Sequence, residues 1–149
     1  MDIKEYFVEL DTDIENNVLE LKETLKHSDG LSNRGGWQGV IKDKNTPWIE
    51  DLRNIIESIT GKSTTRFWFN FNNHGDYNEW HKHFNNSYAA VLYIKVPVNS
   101  GNIEFRHNDI LKEIIPKPGM LLVFPGSLEH RVLPNLSQEY RISLATNLV

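Results

Sequence analysis

The sequence predicts a mainly β protein of the jelly-roll class, with two N-terminal helices packed on one of its sheets. Three observations carry this prediction: helical periodicity in the first 63 residues, a change after Thr64 to short β runs, and turn signals between those runs. No repeat or second-domain linker interrupts the chain. We therefore expect one domain over residues 1–149, with a helical flank at 1–63 and the β core at 64–149.

The helical flank is marked by caps and by apolar residues at helical spacing. The first helix is predicted to begin at a capping box in residues 12–15 and to stop at the Ser-Asp-Gly of 28–30. The second has Thr46 as N-cap, Pro47 at its first position and Gly61 as its stop. Between them, Trp37 is expected to seal the core, the alternative being that it lines the mouth of a site.

The β core is predicted as eight short strands separated by turns that contain glycine and proline. The clearest turns are residues 99–101, 116–119 and 124–127. Eight short strands after two helices suggest a double-sheet jelly roll with the helices covering one sheet. The predicted strands are 65–72, 79–84, 88–96, 102–105, 112–115, 120–124, 129–133 and 141–146.

The composition narrows the function classes. The chain has 16 basic residues, 20 acidic residues and no cysteine, which excludes disulfides, zinc–thiolate sites and cysteine nucleophiles. No block of like charge suits a nucleic acid or a membrane surface, and no apolar run approaches the roughly 18 residues of a membrane span. We expect a cytoplasmic protein that binds neither nucleic acid nor membrane. The oligomeric state stays open.

Three histidines predict a metal site. Residues two apart in a strand share a face, so His81 and His83 would direct both imidazoles to one point while Lys82 points away. Without cysteine, any metal must be held by His, Asp or Glu, and a mononuclear site normally needs a third protein ligand. His130 is that candidate, because it follows a Pro-Gly turn on a late strand near a sheet end.

Arg141 and Ser143 share a face of a strand that is otherwise apolar. A guanidinium pointing inward there needs a partner, because an unpaired buried charge is costly. Glu104 or Glu129 could supply it. The functional alternative is a bidentate pair with a ligand carboxylate, to which the Ser143 hydroxyl adds a hydrogen bond.

Taken in order, six pieces of the chain resemble the small 2-oxoglutarate/Fe(II)-dependent oxygenases of bacteria and their phages. They are the His-x-His of 81–83, VLYIKVP at 91–97, GNIEF at 101–105, PGMLLVFP at 118–125, His130, and RISL at 141–144. The resemblance covers residues 66–147, and its strength lies in the order and spacing of the pieces.

This resemblance implies a double-stranded β-helix, a cupin-like jelly roll, that holds Fe(II) at the open end of its barrel. His81 and His130 would be the two iron histidines. Arg141 and Ser143 would bind the distal carboxylate of the co-substrate 2-oxoglutarate, with Tyr93 as a further contact. The implied activity is hydroxylation of a C–H bond, coupled to oxidative decarboxylation of 2-oxoglutarate. The implied partners are 2-oxoglutarate, dioxygen and an unidentified small molecule or protein residue.

His83 departs from the wider superfamily, which has Asp or Glu in its place. The smaller group also contains His-x-His, so His83 is expected to be a third metal ligand. Three neutral imidazoles leave the ion its full charge, which the dianionic co-substrate would offset, and they favour Zn, Cu or Ni over Fe unless metal supply decides. Asp76 or Glu79 could orient an imidazole or bind the ion.

Two other functions remain open. The three histidines and the glycines before them come close to the two cupin motifs, which would indicate a metal-dependent dioxygenase or isomerase that does not use 2-oxoglutarate. The glutamate of the first cupin motif is missing, and Arg141 has no role in that enzyme. A non-catalytic jelly-roll module with structural zinc would need a fourth ligand, for which His74 and His107 are the remaining histidine candidates.

The substrate is the least determined part of the prediction. Trp68 and Asn70 alternate along the strand before the His-x-His, and Trp80 and Arg106 are expected at the same end of the barrel. We expect these four residues to rim the site. The absence of a long lid insertion would suit a large substrate as well as a small one.

Overall fold

The computed structural model describes residues 1–28, 32–85 and 87–149. Two helices and eleven strands occupy these ranges, so the predicted mainly β class is confirmed. In chain order they are β1 (Lys4–Phe7), α1 (Ile14–Thr24), β2 (Asn33–Arg34), β3 (Trp37–Val40), α2 (Pro47–Thr60), β4 (Thr64–Asn72), β5 (Tyr77–His81), β6 (Tyr88–Lys95), β7 (Ile103–His107), β8 (Ile110–Ile114), β9 (Met120–Pro125), β10 (Glu129–Val132) and β11 (Arg141–Leu148).

The strands form two antiparallel sheets, as a jelly roll requires. The major sheet has the order β1-β9-β6-β11-β4-β3, and the minor sheet has the order β2-β5-β10-β7-β8. Each sheet therefore mixes early and late strands of the chain. This mixing brings residues that are distant in sequence, such as those of β5 and β10, side by side.

Two apolar cores lie on the two faces of the major sheet. Strand β4 shows the division, because Phe67, Phe69 and Phe71 face one side while the polar residues between them face the other. The phenylalanine side packs against the apolar faces of both helices, which confirms that α1 and α2 cover one sheet. The second core, around Phe105 and Phe124, fills the space between the two sheets.

Both helices form where the sequence predicts them, but the predicted capping box and stop of α1 are not observed. Helix α1 starts from Asp13, whose side chain makes no capping bond, so the predicted capping box is not formed. It ends at Thr24, before the predicted stop at 28–30, of which residues 29 and 30 lie outside the described ranges. Helix α2 ends as predicted at Gly61, whose φ of 67° is left-handed. Neither helix has the length and apolar run that a membrane crossing requires.

Three strands of the N-terminal third were missed by the sequence prediction. Strands β1 and β3 form the two edges of the major sheet, and β2 forms an edge of the minor sheet. All three are at most four residues long, so their conformation comes from pairing with a neighbour more than from local pattern. Trp37 starts β3 and packs edge-on against Phe71 at 5.8 Å, which places it in the helix-covered core.

Candidate metal centre and co-substrate pocket

A cavity of about 650 Å³ lies between the two sheets. Its floor is the inner face of the major sheet, where the register places Ser143 of β11 between Asn70 of β4 and Tyr93 of β6. Its roof comes from β5, from β10 and from the segment that follows β5. The cavity therefore joins the strands that carry the predicted metal ligands to the strand that carries Arg141.

The three predicted histidines meet in this cavity. His81 ends β5 and pairs directly with His130 of β10, and their ring centroids are 4.1 Å apart. The His83 ring lies 5.5 Å from that of His81 and 5.2 Å from that of His130. One ligand nitrogen from each side chain lies within 4.8 Å of the other two. This spacing allows three imidazoles to contact one metal ion.

His83 reaches the cluster by a different route from the one predicted. Strand β5 ends at His81, so the alternation expected over 79–84 stops there, and Lys82 borders the cavity as well. The His83 backbone N–H instead donates to the Gly126 carbonyl at 2.7 Å. A side chain at Gly126 would collide with the carbonyl of Phe84. Close packing of this segment on the β9–β10 turn therefore positions His83.

Backbone contacts set the orientation of two of the imidazoles. The Nδ1 of His81 bonds the Glu79 carbonyl at 2.7 Å, and the Nδ1 of His130 bonds the Leu128 carbonyl at 2.9 Å. A carbonyl only accepts, so each Nδ1 carries the proton and each Nε2 keeps its lone pair. The remaining nitrogens are thus prepared for a metal ion.

Burial keeps the cluster uncharged. It lowers the pKa of His81 and of His130, and it lowers the pKa of His83 to about 4, where the neighbouring His81 adds to the effect. All three imidazoles are therefore neutral at neutral pH, which is the state that binds metal.

The two carboxylates considered as partners lie elsewhere. Glu79 forms an ion pair with Arg34 at 2.6 Å, so it serves the cluster through its backbone carbonyl alone. The Asp76 side chain accepts from the backbone N–H of Asn73 at 2.7 Å. Within the described ranges, the metal-ligand cluster consists of histidines only.

Arg141 is buried on the floor of the same cavity, with 3% of its surface exposed. Its Nη1 donates to the carbonyls of Ser100 at 3.2 Å and Gly101 at 2.9 Å. The positive φ of Gly101, 104°, and its contact with Leu133 leave no room for a side chain at this point. The Arg141 Nε has no partner in the described structure.

Neither predicted carboxylate neutralises Arg141. Glu104 pairs with Arg131 at 2.7 Å, and Glu129 pairs with Arg106 at 2.6 Å. Among the described residues, no acidic side chain forms an ion pair with Arg141, and burial lowers its pKa. A buried cation with an unused donor favours an anionic ligand.

Tyr93 and Ser143 border the cavity near Arg141. Burial raises the pKa of Tyr93 to about 12, so its phenol is neutral and can donate a hydrogen bond. The Ser143 hydroxyl accepts from the Asn70 side-chain amide at 3.4 Å, which leaves its own proton for another acceptor. These two hydroxyls and the Arg141 guanidinium are donors available to a carboxylate.

The residues present fit both groups that the sequence resemblance implies. Three neutral imidazoles with free lone pairs suit a divalent first-row metal ion. The Arg141 guanidinium, with an unpartnered Nε, suits one carboxylate of 2-oxoglutarate. Both features line one cavity.

The predicted substrate rim divides into two pairs. Trp68 and Asn70 line the cavity. Trp80 and Arg106 do not: the Arg106 guanidinium stacks on the Trp80 ring at 4.1 Å, on the outer face of the minor sheet. Trp80 precedes His81 in a strand, so the two side chains face opposite sides. The prediction for this pair overlooked that alternation.

The two spare histidines are not in the cluster. The His74 Nδ1 contacts the Ser137 carbonyl at 3.0 Å, and His107 contacts the Asn108 side chain at 3.1 Å. Both are exposed.

Several polar residues that line the cavity were missed from the sequence. Arg66 continues the alternation of β4, which could have revealed it. The others follow from pairing of distant strands or from loops; they are Ser32, Gln38, Asn78, Thr146 and Asn147.

Comparison with known proteins gives a family match and a fold match. Residues 108–147, which contain His130, Arg141 and Ser143, match a family model described as "Putative 2OG-Fe(II) oxygenase". The resemblance to the 2-oxoglutarate/Fe(II) oxygenases is confirmed. This match over residues 108–147 and the three-histidine cluster support an oxidoreductase that uses Fe(II) as cofactor and 2-oxoglutarate as co-substrate. Among curated protein sequences no significant match is found.

Solved structures with the same fold cover almost the whole chain. A Pseudomonas putida prolyl-4-hydroxylase aligns with a TM-score of 0.76 at 17% identity, over 98% of the present chain and 91% of that chain. A viral collagen prolyl hydroxylase from Paramecium Bursaria Chlorella virus-1, solved with 2-oxoglutarate, aligns with a TM-score of 0.72 at 17% identity. The alignment covers 98% of the present chain and 94% of the viral one. A Trichoplax adhaerens prolyl hydroxylase, solved with a peptide fragment, aligns with a TM-score of 0.79 at 15% identity. That alignment covers 98% of the present chain and 82% of the hydroxylase. At these identities the likeness establishes the fold of the chain alone.

Proposed function

We propose that this protein is an oxygenase that hydroxylates a C–H bond of an organic substrate at an Fe(II) ion held by His81, His83 and His130. In this proposal Arg141 binds the distal carboxylate of 2-oxoglutarate, and the hydroxyls of Ser143 and Tyr93 are further donors to it. When bound, the two groups supply the oxidation: dioxygen and 2-oxoglutarate are consumed, succinate and carbon dioxide are released, and the substrate C–H becomes C–OH.

One observation carries the proposal: Arg141 is buried in the histidine cavity with no acidic partner among the described residues. A protein rarely keeps an isolated charge in its interior, because desolvation is costly. A dianionic co-substrate removes that cost when it binds. It also offsets the charge of a metal ion that three neutral imidazoles leave uncompensated.

The remaining residues act by positioning and by excluding water. The carbonyls of Glu79 and Leu128 hold the imidazoles of His81 and His130 in one tautomer, so the metal does not have to reorganise them. Phe124, buried against His130 with ring centroids 4.8 Å apart, keeps that side of the cluster apolar. Trp68, with its ring 6.2 Å from that of His83, borders the space left for a substrate.

The same observation weighs against a cupin-type enzyme that does not use 2-oxoglutarate. Such an enzyme would need the three histidines and would leave Arg141 as a buried charge with no function. A structural zinc site would need a fourth ligand, and neither His74 nor His107 lies at the cluster.

Uncoupled turnover tests the proposal before any substrate is known. Purified protein is supplied with Fe(II), ascorbate, oxygen and 2-oxoglutarate, and succinate is measured. We expect slow succinate formation that His130→Ala abolishes and Arg106→Gln, on the outer face, leaves unchanged. Succinate formation that persists in His130→Ala, or none in the wild type, contradicts the proposal.

A further inference from the structure

The six arginines of the chain fall into two groups. Four of them form ion pairs with glutamates: Arg34, Arg53, Arg106 and Arg131. The other two, Arg66 and Arg141, form no ion pair with a described residue, and both line the cavity. Arg141 is assigned to 2-oxoglutarate in the proposed function, which leaves Arg66 without a role.

Arg66 lies far along β4 from the position of Arg141. The register pairs Arg141 with Asn72, six residues from Arg66, which is roughly 20 Å of strand at about 3.3 Å per residue. The backbones of the two arginines therefore lie at opposite ends of this part of the cavity floor. The Arg66 guanidinium lies 5.8 Å from the centre of the Trp68 ring, which faces His83. Arg66 therefore stands at the substrate end of the cavity.

Asn147 supplies an independent sign of a ligand at that end. It is 7% exposed, it lines the cavity, and its Oδ1 is buried without a hydrogen-bond partner in the described structure. The pairs Thr146 with Phe67 and Leu148 with Thr64 place it beside Arg66. Because an unsatisfied buried acceptor is costly, this oxygen points to a donor on a bound molecule.

The charge of the lining favours an acid. The chain carries a net charge of −4 and 20 acidic residues, yet no Asp or Glu is among the described residues that line the cavity. Arg66 and Lys82 are cations at its exposed border. A site with positive charge and no negative charge attracts anions and repels cations.

We propose that Arg66, Asn147 and Trp68 form the substrate subsite, and that the substrate is a small carboxylic acid with an N–H or O–H beside its carboxylate. Arg66 binds the carboxylate, the Asn147 Oδ1 accepts from the N–H or O–H, and Trp68 packs on the carbon chain that extends toward the histidines. This inference rests on the proposed function, because it takes Arg141 to be occupied by 2-oxoglutarate. A cavity of about 650 Å³ is large enough to hold two small molecules.

Matched acids and amides test the subsite by binding alone. Protein saturated with Zn(II) and 2-oxoglutarate, which does not turn over, is titrated calorimetrically with N-acetyl-L-leucine, N-acetyl-L-phenylalanine and their carboxamides. Each pair differs only in the carboxylate. We expect the acids to bind at least about tenfold more tightly than the amides, since a charged hydrogen-bonded pair is lost.

Two variants and one control assign the preference to these residues. Arg66→Gln should lower the affinity for the acids about tenfold and leave the amides unchanged. Asn147→Asp should lower the affinity for the acids relative to the wild type, because its carboxylate repels theirs. Arg106→Gln removes an arginine that also stacks on a tryptophan, outside the cavity, and should change nothing. Equal binding of acids and amides, no binding of any acid at millimolar concentration, or binding of inorganic phosphate alone overturns the proposal.

The experiments distinguish failure of the proposed function from failure of the substrate-subsite proposal. If metal and 2-oxoglutarate do not bind together, the proposed function is wrong, and the acid titration is repeated on the free protein. Dependence of acid binding on Arg66 in that titration still supports the anion subsite, and its absence overturns it.

Discussion

His81 and His130 face each other across the β5–β10 pair, and each bonds through Nδ1 to the carbonyl of the residue two positions before it. The two ligand residues are therefore oriented by the same local hydrogen bond, on neighbouring antiparallel strands. It fixes the tautomer of both rings and leaves both Nε2 atoms unprotonated before any metal arrives. Preorganisation of this kind lowers the cost of binding a metal ion.

Arg141→Met should remove 2-oxoglutarate binding while keeping or raising the stability of the ligand-free protein. The substitution deletes a carboxylate donor, which should weaken 2-oxoglutarate by about tenfold to a hundredfold, about 1.4 kcal/mol for each factor of ten. It also deletes a buried charge that no acidic side chain in residues 1–28, 32–85 or 87–149 balances. Calorimetric titration and urea unfolding measure the two effects. A marked loss of stability with 2-oxoglutarate binding intact would mean that Arg141 is structural.

His83→Asp should keep iron bound and keep or raise turnover. The carboxylate takes the place of one neutral imidazole and gives the two-histidine, one-carboxylate set of the wider superfamily. It also shifts preference toward Fe(II) relative to Cu(II), which can be measured by competition between the two ions. A folded variant that binds no iron would show that position 83 does not contact the metal.

Gly126→Ala should weaken metal binding without changing a ligand. The added methyl group would collide with the Phe84 carbonyl and push residues 82–85 away from the β9–β10 turn. His83, whose N–H bonds the Gly126 carbonyl, should move with it. We expect metal affinity to fall about tenfold, measured with Zn(II) and a chelator as competitor. Gly75→Ala is the control: the added group meets no neighbour, so the substitution strains a left-handed backbone position away from His83 and should leave metal affinity unchanged.

The metal-free protein should lose stability as the pH falls from about 6.5. Burial lowers the pKa of the three clustered histidines in the folded state, that of His83 to about 4, while the unfolded chain takes up protons near pH 6.5. The unfolded state therefore binds more protons below that pH, so stability present above it is lost on acidification.

Urea unfolding between pH 7.5 and pH 5 in the presence of a chelator measures this dependence. His83→Gln, which removes one of the three titrating groups, should have a shallower pH dependence than the wild type. Stability that does not change over this range would contradict the neutral cluster.

The sequence predicted the parts of the molecule that have a local cause. Helix α2 follows from Pro47 and Gly61 at its ends, and the inward face of β4 follows from alternation. Edge strands such as β1 could not be predicted, because their few residues become extended only by pairing with β9. The family resemblance helped most with the site, since nothing local to Arg141 distinguishes a co-substrate ligand from half of an ion pair.

Two site errors have different physical origins. Trp80 lies inside β5 and alternates with His81, which the prediction overlooked, whereas the direction of Lys82 depends on where β5 ends, and the sequence does not mark that boundary. The prediction that one domain spans the chain stays a prediction. The missed Asn147 lies on β11 six residues after Arg141, where only the register with β4 places it beside Arg66.

The central claim is that one cavity binds Fe(II) and 2-oxoglutarate together. Anaerobic titration of the metal-free protein with Fe(II), and then with 2-oxoglutarate, tests it through the visible charge-transfer band of a chelated keto acid. The account predicts a band that needs both components, persists in Arg106→Gln, and is lost in Arg141→Met. Metal binding without a band, or a band that Arg141→Met leaves unchanged, would contradict it.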